Sequence, residues 1–149
     1  MGGRTSQDFY TADLVSDLLS GGDSSRLYKH LVQEQRLLAS VNAYISGDVD
    51  PGLFVFTGQL LPDTTPEQAE AAFRAEIEAL QSVPASDYEV EKVKNKFEAN
   101  TLYEMLGDLP LINGEVAAYR AVTTGDILAF SRRTFRPENC SILIYKAKK

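Results

Sequence analysis

Residues 18–46, LLSGGDSSRLYKHLVQEQRLLASVNAYIS, change their hydrophobic period along the way, and the fold class follows from that change. Just upstream, ADLVSDLL at 12–19 sets Leu14, Val15, Leu18 and Leu19 at helical spacing. Gly21-Gly22 then supplies the flexible stop that a helix C-terminus favours. Ser24 or Ser25 is a good N-cap for a second helix, RLYKHLVQEQR, in which Leu27 and Leu31 share one side and His30 and Glu34 flank them. From Ala39 to Ser46 the period becomes two. Ala39, Val41, Ala43 and Ile45 fall on one face, and Ser40, Asn42, Tyr44 and Ser46 on the other, as in a half-buried strand.

Gly47-Asp48-Val49-Asp50-Pro51-Gly52 is dense in turn formers, and LFVFTGQLL after it alternates Phe54, Phe56 and Leu60 against Val55, Thr57 and Gln59. The two strands are expected to form an antiparallel hairpin. Gly58, inside the second strand, marks a bulge or a close approach. Thr65-Pro66-Glu67-Gln68 is a capping signature that opens a helix with the stripe Ala69, Phe73, Ile77 and Leu80, and Pro84 ends it. Ser86-x-x-Glu89 repeats the capping box for a long charged helix lined by Val90, Val93 and Phe97, with Glu91, Lys96 and Glu98 read as a solvated face. Beyond Tyr103 the pattern is irregular until Thr123-x-x-Asp126 opens a short helix, Ile127 to Arg133, and a last strand is expected from Ser141 to Tyr145. The reading is one α+β domain over 1–149, a mostly antiparallel sheet with helices packed on one face.

The 149 residues, 44% hydrophobic and 24% charged, suffice for one buried core. A net charge of −6 opposes phosphate neutralisation, so nucleic acid is not an expected partner. Lys146, Lys148 and Lys149 read as a solvated end. No apolar run approaches the ~18 residues of a membrane span, and Met1-Gly2-Gly3-Arg4 reads as an arbitrary start inside a longer protein rather than a signal segment. Gly2 with Ser6 matches a myristoylation pattern too short to carry weight. Cys140 is unable to form an intrachain disulfide and, at the edge of an apolar run, is expected in the core.

The chain offers little catalytic chemistry. A hydrolytic zinc site takes about three protein ligands, usually His with a carboxylate or Cys. The single histidine, His30, has no second His at i+4 and no nearby Cys, so it is expected as a packed or surface helix residue. No Ser and Asp are singled out to complete a triad with it. Gly21–Arg26 lacks the Lys-Ser/Thr of a phosphate loop and follows no strand, which leaves a helix-to-helix turn. Asp48 and Asp50 begin like a calcium loop, but no distal Glu follows. No catalytic, cofactor-binding or metal residue is expected in this chain.

The run Leu18-Leu19-Ser20-Gly21-Gly22-Asp23-Ser24-Ser25-Arg26-Leu27-Tyr28, with Leu31-Val32-Gln33-Glu34 and the strand from Ala39 to Tyr44, resembles the second, C-terminal domain of peptidase family M16, the pitrilysin/insulinase-like zinc metallopeptidases. Glu67 to Leu80, Glu89 to Lys94 and Phe135 to Ser141 are similar to the family as well. The resemblance implies a metallohydrolase-like fold. It implies zinc held elsewhere, by a His-x-x-Glu-His motif of an N-terminal domain or homologous subunit, with this domain either closing over a peptide substrate or serving as a non-proteolytic structural or peptide-binding module like other members of the family. Active members bring an Arg and, seven residues later, a Tyr from this domain toward the substrate carbonyl; Val32 and Ala39 stand at those positions here. Neither can donate a hydrogen bond to an oxyanion. The family also continues through a longer helical passage before the Leu-Gly-Asp segment. Here Glu104 and Met105 lead straight into Leu106-Gly107-Asp108, so a helical segment is expected to be deleted there or missing from the chain. A sheet edge or apolar face left open where the N-terminal half would pack is expected to favour a homodimer.

Overall fold

The computed structural model describes residues 6–46, 52–104 and 109–146. Helix α1 (Gln7–Ser20) starts on Ser6, whose hydroxyl accepts the Phe9 amide, and buries Ala12, Leu14, Val15, Leu18 and Leu19. Burial on several sides makes it the central helix, and it touches β1 (Leu38–Ser46), α3 (Asp87–Glu104), α4 (Leu109–Ala121) and α5 (Thr124–Thr134). Between α1 and β1 runs a π-helix, Tyr28–Glu34, which closes with Gln35 N–H to the His30 carbonyl at 2.9 Å and Leu37 N–H to the Leu31 carbonyl at 3.0 Å. Arg36 ends it with φ 52°, the left-handed conformation that usually falls to glycine.

The hairpin pairs β1 with β2 (Leu53–Leu60) antiparallel, Ala43 facing Phe56 and Val41 facing Gly58. The inner face is as expected from Val41 on. At the start of β1, however, the register shifts between Leu38 and Ser40, so Ala39 is the extra residue of a bulge. Ala39 is therefore exposed, and Leu38 takes the buried place expected for it. Gly58 answers this crowding: a Cβ there would stand 3.0 Å from the Leu38 Cδ1 and 3.4 Å from Phe73.

Helix α2 (Pro66–Ser82) carries the expected Thr65/Gln68 capping box. It buries Ala69, Ala72 and Leu80, with Phe73 packed against the core. Ile77 is half-buried, and Glu76 is buried in its stead. Helix α3 opens on the Ser86/Glu89 box and buries Val90 and Val93. Its outer face is not simply solvated: Lys94 is buried and donates to the Arg120 carbonyl, while Arg120 ties Glu91, Asn95 and Glu98 to α4. Helix α4 occupies the stretch whose sequence pattern is irregular. Its Tyr119 stacks on Phe97 at 3.6 Å and donates to Asp13 of α1 at 2.7 Å, and burial with that carboxylate beside it holds the phenol well above its usual range. Helix α5 carries the Thr123/Asp126 box, and Phe135 just after it packs its ring on Phe54 and Phe56.

Two expectations fail at the C-terminal end. Ser141 to Tyr145 is exposed, takes up no regular secondary structure and pairs with no strand, so the sheet among the described residues has two strands only. Cys140, expected in the core, is exposed for the same reason, because the run that would bury it lies on the outside. The architecture remains α+β, with helices on one face of an antiparallel hairpin. Met105 to Asp108, where the helical passage is expected to be shortened, lies outside the described residues, as do Asp48 and Asp50.

Candidate functional site

The glycine turn is tied to the elements around it by several side-chain bonds. Gly21 is required there: a Cβ would stand 2.3 Å from the Asp17 carbonyl oxygen, closer than any real contact. Gly22 takes φ +122°, which a side chain would strain. Three cations converge on the turn. Arg26 grips Glu89 with both arms, Nε to Oε1 at 2.8 Å and a terminal nitrogen to Oε2 at 3.0 Å. Lys92 donates to Ser24 Oγ at 2.9 Å, and Lys96 to the Gly21 carbonyl at 2.9 Å and to Asp17 at 3.2 Å. The turn and the Ser-Ser-Arg-Leu segment are thus locked to α3, with the three cations engaged by protein carboxylates, a hydroxyl and a carbonyl. The Arg26 guanidinium, helped by the Ser86 amide and hydroxyl and opposed by burial, holds the Glu89 carboxyl down to about 2.

His30, on the π-helix, lies with Nδ1 2.8 Å from Glu76 Oε1 on α2. The carboxylate is buried and the ring half-exposed, so the pair staples the π-helix to α2. A histidine beside a carboxylate is two thirds of a triad, yet among the described residues no hydroxyl or thiol bonds to the ring. Among the described residues no group of three or more His, Cys, Asp or Glu is placed to hold a metal ion. Glu76 had no signal in the sequence beyond a charge on the inner face of α2, where an unexplained buried carboxylate calls for a partner.

Val32 and Ala39 do not share an environment, and Ala39 leaves the inner face expected for it. Val32 is half-buried against the core, and Ala39 is exposed in the bulge. Neither adds a donor to the surface. Ser20 completes the region: its hydroxyl accepts the Ala43 amide at 2.8 Å and lies 2.9 Å from the Ala43 carbonyl, joining the end of α1 to the outer edge of β1.

The sequence model of the peptidase M16 inactive domain matches residues 1–97. No curated protein matches the chain. Among solved structures it is similar to the inactive peptidase domain assigned to a zinc protease of Bordetella parapertussis, with 26% identity and a TM-score of 0.77 over 93% of this chain and 84% of that one. It is also similar to a protein of Bordetella pertussis Tohama I assigned as a zinc protease, with 28% identity and a TM-score of 0.71 over 90% of this chain and 82% of that one. A protease from Helicobacter pylori shares the fold at 19% identity, with a TM-score of 0.83 over 91% of this chain. The chain spans 36% of the length of that protease.

Proposed function

This chain belongs to the peptidase M16 inactive-domain family, and from that premise we propose that it is a single domain of a longer protein, the C-terminal half of a clamshell zinc metallopeptidase. In this reading it closes over a peptide and helps to enclose it, while an N-terminal domain or a homologous subunit supplies zinc and the catalytic base. The match of the inactive-domain model over residues 1–97 carries the reading. The local chemistry supports it: the cations near the glycine turn are engaged in internal pairs, and His30 is engaged by Glu76. What such a domain contributes is shape and exclusion of water, which strengthen electrostatic effects in an enclosed site.

A second reading follows from Val32 and Ala39. Without a donor at either position this half adds no electrostatic stabilisation of an oxyanion, which suits a non-proteolytic scaffold or peptide-holding module of the same family. The two are separated by pairing this chain with its N-terminal partner and following peptide hydrolysis. The peptidase reading expects chelator-sensitive cleavage from the pair, none from this chain alone, and no stoichiometric zinc in this chain after dialysis. Cleavage or tightly held zinc in the isolated chain would overturn both readings. A pair that binds peptide without cleaving it selects the scaffold.

A further inference from the structure

The backbone departs from regular geometry three times between the π-helix and the start of β1: at the π-helix itself, at the left-handed Arg36 and at the Ala39 bulge. Widened helical turns and bulges both recur beside functional sites, and a bulge re-aims the side chains next to it. Among the described residues Arg36 is the only one other than glycine with a positive φ. An L side chain makes that conformation costly, and glycine does not. The surroundings hold it in place. On one side Gln35 N–H is tied to the His30 carbonyl, and on the other Leu37 bonds through both its amide, to the Leu31 carbonyl, and its own carbonyl, which accepts the Leu61 amide at 3.1 Å.

The Arg36 side chain does nothing to secure this arrangement. It is exposed, and its guanidinium meets no hydrogen-bond or ion-pair partner among the described residues. Carboxylates are plentiful, 21 Asp and Glu against 15 Lys and Arg, and Arg26, Arg74, Arg120 and Arg133 each meet one, while Arg132 meets the Gln81 carbonyl. Arg136 is without a partner too, but its backbone is ordinary and extended, with φ −96°. Arg36 thus combines a braced, strained backbone with an idle cation. Strain of this kind persists where a residue serves a ligand and not the fold. The guanidinium fork fits a carboxylate with two parallel bonds, as Arg26 fits Glu89. A chain of net charge −6 repels polyanions, so a single carboxylate suits this site better than a nucleic-acid backbone.

We propose that Arg36 anchors a carboxylate of the bound peptide, either an acidic side chain or a free C-terminus, and so gives the domain a preference for peptides that carry one. The proposal rests on the peptide-enclosing reading above and adds the substrate class to it. It also makes Arg36 a residue kept at the expense of stability, since glycine would take φ 52° without strain.

Fluorescence anisotropy on the 149-residue chain tests it with three labelled alanine–serine peptides: one with a central Glu and an amidated C-terminus, its Gln counterpart, and that Gln peptide with a free C-terminus. The wild-type chain should bind one of the two carboxylate peptides at least about tenfold more tightly than the uncharged one, and the peptide preferred identifies the source of the carboxylate. Arg36→Gly should lose that preference while its Tm rises, a combination that a merely structural role would not produce. Equal binding of all three peptides by wild type overturns the proposal and leaves the peptide-enclosing reading standing. Binding of none removes both. An Arg36→Gly chain that keeps the preference, or whose Tm falls, also overturns the proposal.

Discussion

Glu89 accepts from Arg26 through both carboxylate oxygens and from the Ser86 amide, so one side chain serves both as a helix cap and as the anchor of the glycine turn. With its carboxyl held down to about 2 instead of the ordinary 4.5, its contribution to stability is complete above about pH 4.5 and is lost as pH falls toward about 2. Arg26→Ala should therefore cost about 1–2 kcal/mol at neutral pH, the range of a half-exposed bidentate pair after solvent screening. The gap between wild type and variant should narrow in thermal melts taken from about pH 5 down to about pH 2.5. A gap of constant size would locate the pairing energy elsewhere. The cap half of this arrangement is legible in the sequence, because Ser86 and Glu89 sit at a fixed local spacing, as do Thr65 with Gln68 and Thr123 with Asp126. The pair half is not. Arg26 and Glu89 stand 63 positions apart, as His30 and Glu76 stand 46 apart, and only the fold brings them together.

Among the elements, α4 and the C-terminal segment mark where local reading stops working. Pro110 and Gly114 make LPLINGEVAAYRA look interrupted, but Pro110 is in the first turn, where its missing amide would have no helical partner. Gly114 is a true weakness of the helix. A Cβ there would meet nothing within 4 Å, and its φ is not positive, so Gly114→Ala should stabilise the protein by about 0.5–1 kcal/mol through the entropy of the unfolded chain. A Tm that does not rise, measured by calorimetry, would mean that the α4 backbone is constrained by more than its own propensity. For Ser141 to Tyr145 the failure runs the other way. Apolar alternation states what a segment would do with a neighbour, and the described residues supply none. The π-helix is a third case: RLYKHLVQEQR has ordinary helical spacing, and the widened turn arises where Arg36 must start the chain back toward β1.

For the molecule as a whole, the domain class was legible because two helices, a hairpin and three capped or periodic helices leave one arrangement that buries every stripe. Of the candidate site, the glycine turn and the Ser86/Glu89 spacing were legible, since each is local in the sequence. The cation lock on the glycine turn was hidden, because the charges on α3 spread around the helix as a solvated face would. Helix α1 gives this architecture its order of opening. It is enclosed by β1, α3, α4 and α5, and its Ser20 hydroxyl is shared with the sheet, so no neighbour can detach without uncovering it and it cannot be uncovered alone. In deuterium-exchange mass spectrometry the amides of Leu14 to Leu19 should be the last to take up label, at the rate of global unfolding, while Ser141 to Lys146, which make no backbone hydrogen bond among the described residues, should label at once. The helix is thus the clock of the domain: how long its protons last measures how long the whole chain stays folded.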